Sequence, residues 1–222
     1  MSQAVTIANA FSFACLALRK NVDAINSLNV FPVPDGDTGT NMFLTLQAAT
    51  EHLQQQLEPP RDNNVPDILS GIARGALLGA RGNSGVLLSQ FLQGLATGYR
   101  SSIEESGASA SDVDPRALCE GLVRGTEVAY SAVSMPVEGT MLTVMRGASE
   151  KGKKVYESGD ADILTILEEC VDAAVITLQA TPDMLDKLRE AGVVDAGGQG
   201  VVVMLDALRE YFSAANDGDA VR

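Results

Sequence analysis

The chain has 222 residues and a net charge of −13, and hydrophobic residues make up 45% of it, which is ample for a packed core. So acidic a chain lacks the clustered lysine and arginine that general binding to nucleic acid or to an anionic membrane requires. Its N-terminus has no basic segment of the kind that opens a signal peptide, and no apolar run approaches the roughly 20 residues of a membrane span.

The spacing of apolar residues predicts helices along most of the chain, because they recur at three- and four-residue intervals. In chain order the predicted helices lie near 5–18, 39–57, 68–77, 86–99, 115–134, 140 onward, 163–178, 181–190 and 198–212. Pro59 and Pro60 end the second helix, residues 101–111 form a mobile loop, and Thr181 caps a short helix with Pro182 in its first turn. Alternating strand patterns are nearly absent, so we predict an all-α fold of about eight helices with antiparallel neighbours.

The domain organisation follows from the same pattern. Residues 1–213 form one domain, and residues 214–222 form a polar tail or the start of a linker. Cys15, Cys119 and Cys170 lie far apart in apolar helical stretches, which predicts buried, reduced thiols and a cytoplasmic protein. His52 is the only histidine and lies among glutamine and glutamate in the second helix. We expect it to be a solvated surface residue.

Residues 35–42 read Asp-Gly-Asp-Thr-Gly-Thr-Asn-Met and stand at the start of the second predicted helix. The carboxylates of Asp35 and Asp37 are one residue apart, an arrangement that can hold a hard divalent cation. The helix start beside them can offer free backbone N–H groups to an anion. Pro32 and Pro34 stiffen the approach more than a simple helix cap requires. A cation beside a phosphate points to nucleotide chemistry.

Two other acidic loops do not fit this segment. A calcium-binding EF-hand loop that starts at Asp35 needs an acid or amide at its fifth position, glycine at its sixth and glutamate at its twelfth. The chain has Gly39, Thr40 and Leu46 at those positions. A haloacid-dehalogenase-type phosphotransferase requires a hydrophobic strand before its aspartates, and the two prolines before Asp35 break such a strand.

Three further predicted helix starts contain glycine, at 79–86 (Gly-Ala-Arg-Gly-Asn-Ser-Gly-Val), 136–143 (Pro-Val-Glu-Gly-Thr-Met-Leu-Thr) and 191–200 (Ala-Gly-Val-Val-Asp-Ala-Gly-Gly-Gln-Gly). Glycine lets the backbone approach a ligand, and helix starts bind anions. Each segment by itself is equally a packing turn or a cap, and 79–86 lacks the Lys-Ser/Thr ending of a P-loop. Ser84 has no histidine partner in view, so a hydrolase triad has no support. In an antiparallel bundle the four starts can converge at one end, around a phosphate chain.

A resemblance to a known family rests on the string Leu28-Asn29-Val-Phe-Pro-Val-Pro-Asp35-Gly-Asp37-Thr-Gly-Thr-Asn41-Met42. It resembles the signature of the dihydroxyacetone-kinase L-type (DAK2) nucleotide domain, and more closely that of the N-terminal kinase domain of bacterial fatty acid kinase. The other three helix starts resemble this family's other motifs in the same order, so the resemblance covers roughly residues 5–212. It implies an eight-helix antiparallel up-down barrel that binds ATP at one rim, two magnesium ions on the acidic loop, and dimers.

The resemblance also implies roles for individual residues. Asp35 and Asp37 correspond to metal ligands at the catalytic centre. The dihydroxyacetone kinases have a third aspartate five residues before the Asp-Gly-Asp, where this chain has Val30, so Asn29, one residue further away, is the predicted third metal ligand. The residues implied to bind the nucleotide or its phosphates are Thr38, Thr40, Asn41, Asn83, Ser84, Gly85, Gly139, Thr140, Met141 and Asp195.

The implied reaction transfers the γ-phosphoryl group of ATP to the carboxylate of a fatty acid that a DegV-type lipid-binding protein presents. A carboxylate is already ionised at pH 7, so positioning and metal neutralisation suffice without a general base. One alternative is a dihydroxyacetone kinase-type subunit acting on a small ketone, against which Asn29 and Thr38 argue. Another is a non-catalytic nucleotide-binding domain. Fatty acid kinases of this type are longer, so the chain is either an excised nucleotide domain or a short stand-alone member.

Overall fold

A computed structural model describes residues 3–56, 64–159 and 161–216 of the chain. These residues form ten helices and no strand, which confirms the predicted all-α class. The helices are α1 (Gln3–Ser27), α2 (Thr38–Gln56), α3 (Val65–Leu78), α4 (Gly82–Ser106), α5 (Pro115–Ser131), α6 (Met141–Glu157), α7 (Ile163–Gln179), α8 (Thr181–Met184), α9 (Asp186–Ala191) and α10 (Ala196–Asn216).

The eight longer helices close into a barrel. Each of α1 to α7 packs against the next, and α10 packs against both α7 and α1. Because successive helices are joined by short connections, they run antiparallel, and α2, α4, α6 and α10 all begin at the same end. The two short helices, α8 and α9, lie in the connection from α7 to α10. The predicted eight-helix antiparallel barrel is therefore confirmed.

The barrel interior is filled by large apolar side chains from the inward faces of the helices. Leu18, Leu46, Ile72, Leu88 and Met145 are almost completely buried, and they come from five different helices. Burial of this apolar surface is the main favourable contribution to folding. The three cysteines are also buried, and burial raises the pKa of the Cys119 and Cys170 thiols to about 12. They are packing residues, as the sequence predicts.

Three local predictions need correction. The loop predicted to start at Ser101 starts later, because Ser102 and Ile103 are buried and α4 continues to Ser106, where Gly107 ends it in a left-handed conformation. The segment 181–190 is two short helices, and Thr181 does not cap the first of them. His52 is half-buried between α2 and α3, where its Cβ lies against Gly75.

The predicted polar tail and the predicted end of the second helix lie partly outside the described residues. Helix α10 runs to Asn216, so residues 214–216 of the predicted tail are helical. Residues 217–222 and the predicted stop at Pro59 and Pro60 are outside the described ranges. None of the described helices combines the length and the apolar character needed to cross a membrane.

Candidate functional site

The four predicted helix starts meet at one end of the barrel and surround a cavity of about 620 Å³. The antiparallel order of the helices brings them together, since every second helix begins at this end. The predicted site residues that line the cavity are Asn29, Asp35, Asp37, Thr38, Asn41, Asn83, Ser84, Thr140, Met141 and Asp195. Thr40, Gly85 and Gly139 were also predicted, but they do not belong to its lining.

The loop before α2 presents two carboxylates to this cavity. Asp35 is exposed and Asp37 is half-buried. Within the described ranges, neither carboxylate makes a hydrogen bond or an ion pair. Two carboxylates that line one cavity without a protein partner are suited to a divalent cation, because Mg²⁺ is commonly held by one or two carboxylates while substrate phosphates and water complete its coordination. The described residues contain no cluster of three or more His, Cys, Asp or Glu side chains that could enclose a metal by itself.

Two asparagine side chains hold this loop from behind. Asn26 accepts hydrogen bonds on Oδ1 from the backbone N–H groups of Gly39 (2.8 Å) and Thr40 (3.2 Å). Its Nδ2 donates to the Thr40 hydroxyl at 3.0 Å, which explains why Thr40 faces away from the cavity. Asn29 accepts on Oδ1 from the N–H groups of Asp37 (3.2 Å) and Thr38 (3.4 Å) and donates to Val33 O at 3.0 Å.

These contacts correct one expectation about the start of α2. The sequence suggested that its free N–H groups would bind an anion beside the metal, but the two asparagines already accept hydrogen bonds from residues 37–40. The Oδ1 atom of Asn29, a predicted metal ligand, faces these two N–H donors in this arrangement. To bind a cation, this oxygen would have to give up or share them.

Helix α4 provides the N–H groups that α2 does not. Its preceding residue, Arg81, donates its own backbone N–H to the Thr45 hydroxyl at 3.1 Å, but no side chain caps the first turn of α4. The first-turn N–H groups of Gly82, Asn83 and Ser84 therefore have no partner from the helix itself. All three residues line the cavity, so this helix start is suited to an anion.

Close packing places the start of α4 against α2. A Cβ atom on Gly82, which has φ +54°, would lie 2.2 Å from Asn41 Nδ2. A Cβ atom on Gly85 would lie 2.2 Å from Thr45 Oγ1. Gly85 is buried in this helix contact, which explains why it does not reach the cavity surface. Its structural role is to permit the approach that places Ser84 beside the acidic loop, where the Ser84 hydroxyl lies 3.5 Å from Thr38 O.

Asp195 joins the starts of α6 and α10. Its carboxylate accepts a hydrogen bond from the Gly198 N–H at 2.7 Å, and the N–H groups of Met141 and Gly197 bond to it as well. Burial raises the pKa of Asp195 to about 6, although these three N–H groups favour its charged form. Its own N–H donates to the buried Thr181 hydroxyl at 3.1 Å. Only 5% of Asp195 is exposed, so it forms part of the wall and leaves little surface for a ligand.

Part of the cavity lining forms an apolar wall, and sequence reasoning did not identify it. Its residues come from the loop before α2, the second turn of α4 and the α5–α6 loop, and they are Phe31, Pro32, Val33, Val86, Leu87, Ala132, Val133, Met135 and Val137. Met135 is 82% exposed at the mouth. Lys187 of α9 lies over the Phe31 ring, 5.7 Å from its centroid. The only available signal was the group of Val, Pro and Met residues around Asp35 and Pro136.

Comparison with known proteins places these residues in a family context. The DAK2 domain matches residues 32–210 of the chain. Two uncharacterised proteins of Staphylococcus aureus, from strains bovine RF122 / ET3-1 and USA300, are each 39% identical over 204 residues. Those matches cover 92% of this chain but 34% of the relatives, so the chain spans about a third of their length.

One solved structure shows the same fold. It is the crystal structure of the dihydroxyacetone kinase of C. freundii in its native form, with a TM-score of 0.59 and 21% sequence identity. The match covers 92% of this chain and 34% of that one. At this level of identity, the likeness concerns the barrel itself.

Proposed function

The chain belongs to the DAK2 domain family, and from that premise we propose that it is the nucleotide-binding domain of a kinase, with ATP and magnesium bound in the cavity at the starts of α2, α4, α6 and α10. The observation that carries this proposal is one juxtaposition. Two carboxylates without partners, Asp35 and Asp37, share the cavity with the uncapped start of α4. A cation-binding group and an anion-binding group side by side suit a metal-bound polyphosphate.

Each part of the cavity has a role in this proposal. Asp35 and Asp37 hold magnesium, with two ions expected, and the N–H groups and side chains at Asn83 and Ser84 contact the phosphates. Bound magnesium would neutralise the charge on the phosphates and on the group being transferred. Thr38 and Asn41 lie on the polyphosphate side, while Thr140 and Met141 form a wall for the nucleotide.

The remaining predicted residues act through others. Thr40 and Gly139 lie outside the cavity lining, so we assign them to the support of the loop and of the α6 start. Gly85 allows α4 to approach α2. Asn29 holds the acidic loop, and Asp195 holds the α6 and α10 starts together. The residues that contact ligand and the residues that position them are thus separate groups.

We further propose that the phosphoryl acceptor is the carboxylate of a fatty acid, presented by a DegV-type lipid-binding protein, and that the product is an acyl phosphate. The apolar wall, which includes Phe31 and Val137, supports an apolar acceptor, because it lies in the same cavity as the two carboxylates. An ionised carboxylate can attack without losing a proton, whereas the hydroxyl of a small ketone must lose one. No histidine or lysine lines the described part of this cavity.

Two measurements test the proposal in sequence. Calorimetry with Mg·ATP and the chain should show binding that EDTA abolishes, and failure to bind would refute the nucleotide-binding role. The chain is then incubated with ATP, magnesium, a DegV-type protein and either oleate or dihydroxyacetone, with hydroxylamine added to trap acyl phosphate as a hydroxamate. Hydroxamate formation with oleate supports the proposal. Phosphorylation of only the ketone would establish the dihydroxyacetone kinase-type alternative, and binding without either product would favour a non-catalytic domain.

A further inference from the structure

The α5–α6 loop (132–140), which forms much of the apolar wall, has few hydrogen bonds from its own backbone N–H groups. Its first residues are tied to α5 through the N–H groups of Ala132 and Val133. At its other end, the Gly139 N–H donates to the Thr143 hydroxyl at 2.9 Å. Between these points, no backbone N–H of the loop makes a hydrogen bond to any described residue. The Val137 carbonyl accepts a hydrogen bond from the Thr140 hydroxyl at 2.8 Å, but this contact lies within the loop and does not tie its middle to the body of the flanking helices.

The side chain of Glu138 ties the loop to those helices. Its two carboxylate oxygens accept from Arg146 in a two-pronged ion pair, with Nη1 to Oε1 at 2.8 Å and Nη2 to Oε2 at 2.7 Å. Oε1 also accepts from the Tyr130 hydroxyl at 3.1 Å, and Oε2 from the Thr143 hydroxyl at 2.8 Å. The Arg146 guanidinium lies over the Tyr130 ring, 5.4 Å from its centroid. One loop carboxylate is thereby bound to both flanking helices, α5 and α6.

This network continues to the cavity wall. The Thr143 hydroxyl donates to Glu138 and accepts from the N–H groups of Gly139 (2.9 Å) and Thr140 (3.4 Å). Gly139 has φ +80°, a conformation that favours glycine, and the next residue, Thr140, lines the cavity. Displacement of Glu138 would therefore move both the apolar wall before it and the helix start after it.

We propose that Arg146 and Glu138 are positioning residues for nucleotide binding, and that their ion pair holds the α5–α6 loop in the geometry that the nucleotide requires. Neither residue lines the cavity, so they act through the loop and through Thr140. A planar guanidinium is needed, because lysine cannot make both bonds to one carboxylate. This inference rests on the proposed function, since it assumes that the cavity binds Mg·ATP.

A matched control is available in the same chain. Arg100 forms an ion pair with Asp67 at 2.9 Å, and the two side chains are 40% and 47% exposed, compared with 40% and 46% for Arg146 and Glu138. That pair lies between α3 and α4 and touches none of the cavity lining. Arg100→Ala thus removes a surface ion pair of similar exposure, although a single-contact one, outside the loop.

The experiment measures Mg·ATP affinity by calorimetry in Arg146→Ala, Arg146→Lys, Glu138→Gln and Arg100→Ala. We expect about tenfold weaker binding for Arg146→Ala and Glu138→Gln, an intermediate loss for Arg146→Lys, and native affinity for Arg100→Ala. Hydrogen exchange of Gly139 and Thr140 without nucleotide should accelerate in Arg146→Ala and stay native in Arg100→Ala.

The outcomes separate this inference from the proposed function. If the native chain binds no Mg·ATP, the proposed function fails. Suppose that the native chain binds Mg·ATP and that Arg146→Ala accelerates hydrogen exchange. If this variant still binds Mg·ATP within twofold of the native affinity, the ion pair is only structural and the inference is overturned. Native exchange rates in Arg146→Ala would also overturn it, because the loop would then not depend on the pair. Tyr130→Phe, which removes a single hydrogen bond, provides a mild second variant and should show a smaller loss of affinity.

Discussion

The amide oxygen of Asn29 accepts a hydrogen bond from the backbone N–H of Asp37 at 3.2 Å. This contact ties the predicted metal-binding loop to the end of α1. A carboxylate at position 29 could make this contact but not the second one, because the Asn29 amide nitrogen also donates to the Val33 carbonyl at 3.0 Å. An aspartate would place a carboxylate oxygen against that carbonyl.

The first prediction concerns Asn29→Asp. We expect Mg·ATP affinity to fall about tenfold, because one buried hydrogen bond is lost and an acceptor faces an acceptor. Asn29→Ala should cost more, since it also frees the N–H groups of Asp37 and Thr38. Calorimetry measures the Mg·ATP affinity of both variants against that of the native chain. Tighter magnesium binding in Asn29→Asp would instead support the metal-ligand role that the sequence predicts for this position.

A second prediction concerns the two loop carboxylates. Asp35→Ala and Asp37→Ala should each reduce magnesium-dependent ATP binding below detection, because one carboxylate of the pair no longer holds the cation. Helicity measured by circular dichroism should stay native, since neither carboxylate makes a hydrogen bond or an ion pair with a described residue. Asp172→Ala, at an exposed position on α7, is the control and should bind normally. Unchanged ATP affinity in either loop variant would refute the assignment.

The third prediction tests the contact between α2 and α4. Gly85→Ala should lower the free energy of unfolding by about 1–3 kcal/mol, because its Cβ would lie 2.2 Å from Thr45 Oγ1. Thr45→Ala removes that obstacle but leaves the Arg81 N–H without its acceptor. The double variant should therefore lose less stability than the two single losses added together. Strict additivity in thermal or denaturant unfolding would show that the clash is relieved elsewhere.

The fourth prediction concerns pH. The pKa of Asp195 is raised to about 6 in the folded chain, from an ordinary value of 3.8. The folded state therefore holds this proton more tightly than the unfolded chain does, and ionisation of Asp195 lowers stability as the pH rises from about 4 to 6. In Asp195→Asn that contribution is absent, so the difference in stability between variant and native chain should shift in favour of the variant across this range.

This difference is measured by thermal unfolding at several pH values. Subtraction of the native curve removes the other carboxyl groups, which titrate alike in both proteins. A difference that is constant from pH 4 to pH 6 would contradict the raised pKa. A constant offset in either direction is acceptable, because the asparagine side chain also changes the hydrogen bonds to Met141, Gly197 and Gly198.

Local sequence was enough to predict the helices and to single out the acidic loop as a candidate site. Apolar spacing predicts the eight long helices because burial requires one apolar face per helix, and that periodicity is written in consecutive residues. Asp35 and Asp37 could be predicted as a cation site because the two carboxylates, the glycines and the helix start are neighbours in sequence. The prediction was weakest where tertiary burial overrode composition, as at Ser102, which is buried in α4 although its segment looks like a loop.

Only the tertiary structure decided which helix starts are free to bind an anion. All four starts carry glycine and looked equivalent, but a cap is supplied by whichever side chain lies nearby in space. Asn26 caps α2 from 13 residues away, and Thr181 reaches Asp195 from 14 residues away, whereas α4 receives no side-chain cap. Hydrogen bonds formed between distant segments leave no local pattern, so the sequence by itself specified the helix starts and the fold determined which of them has uncapped N–H groups.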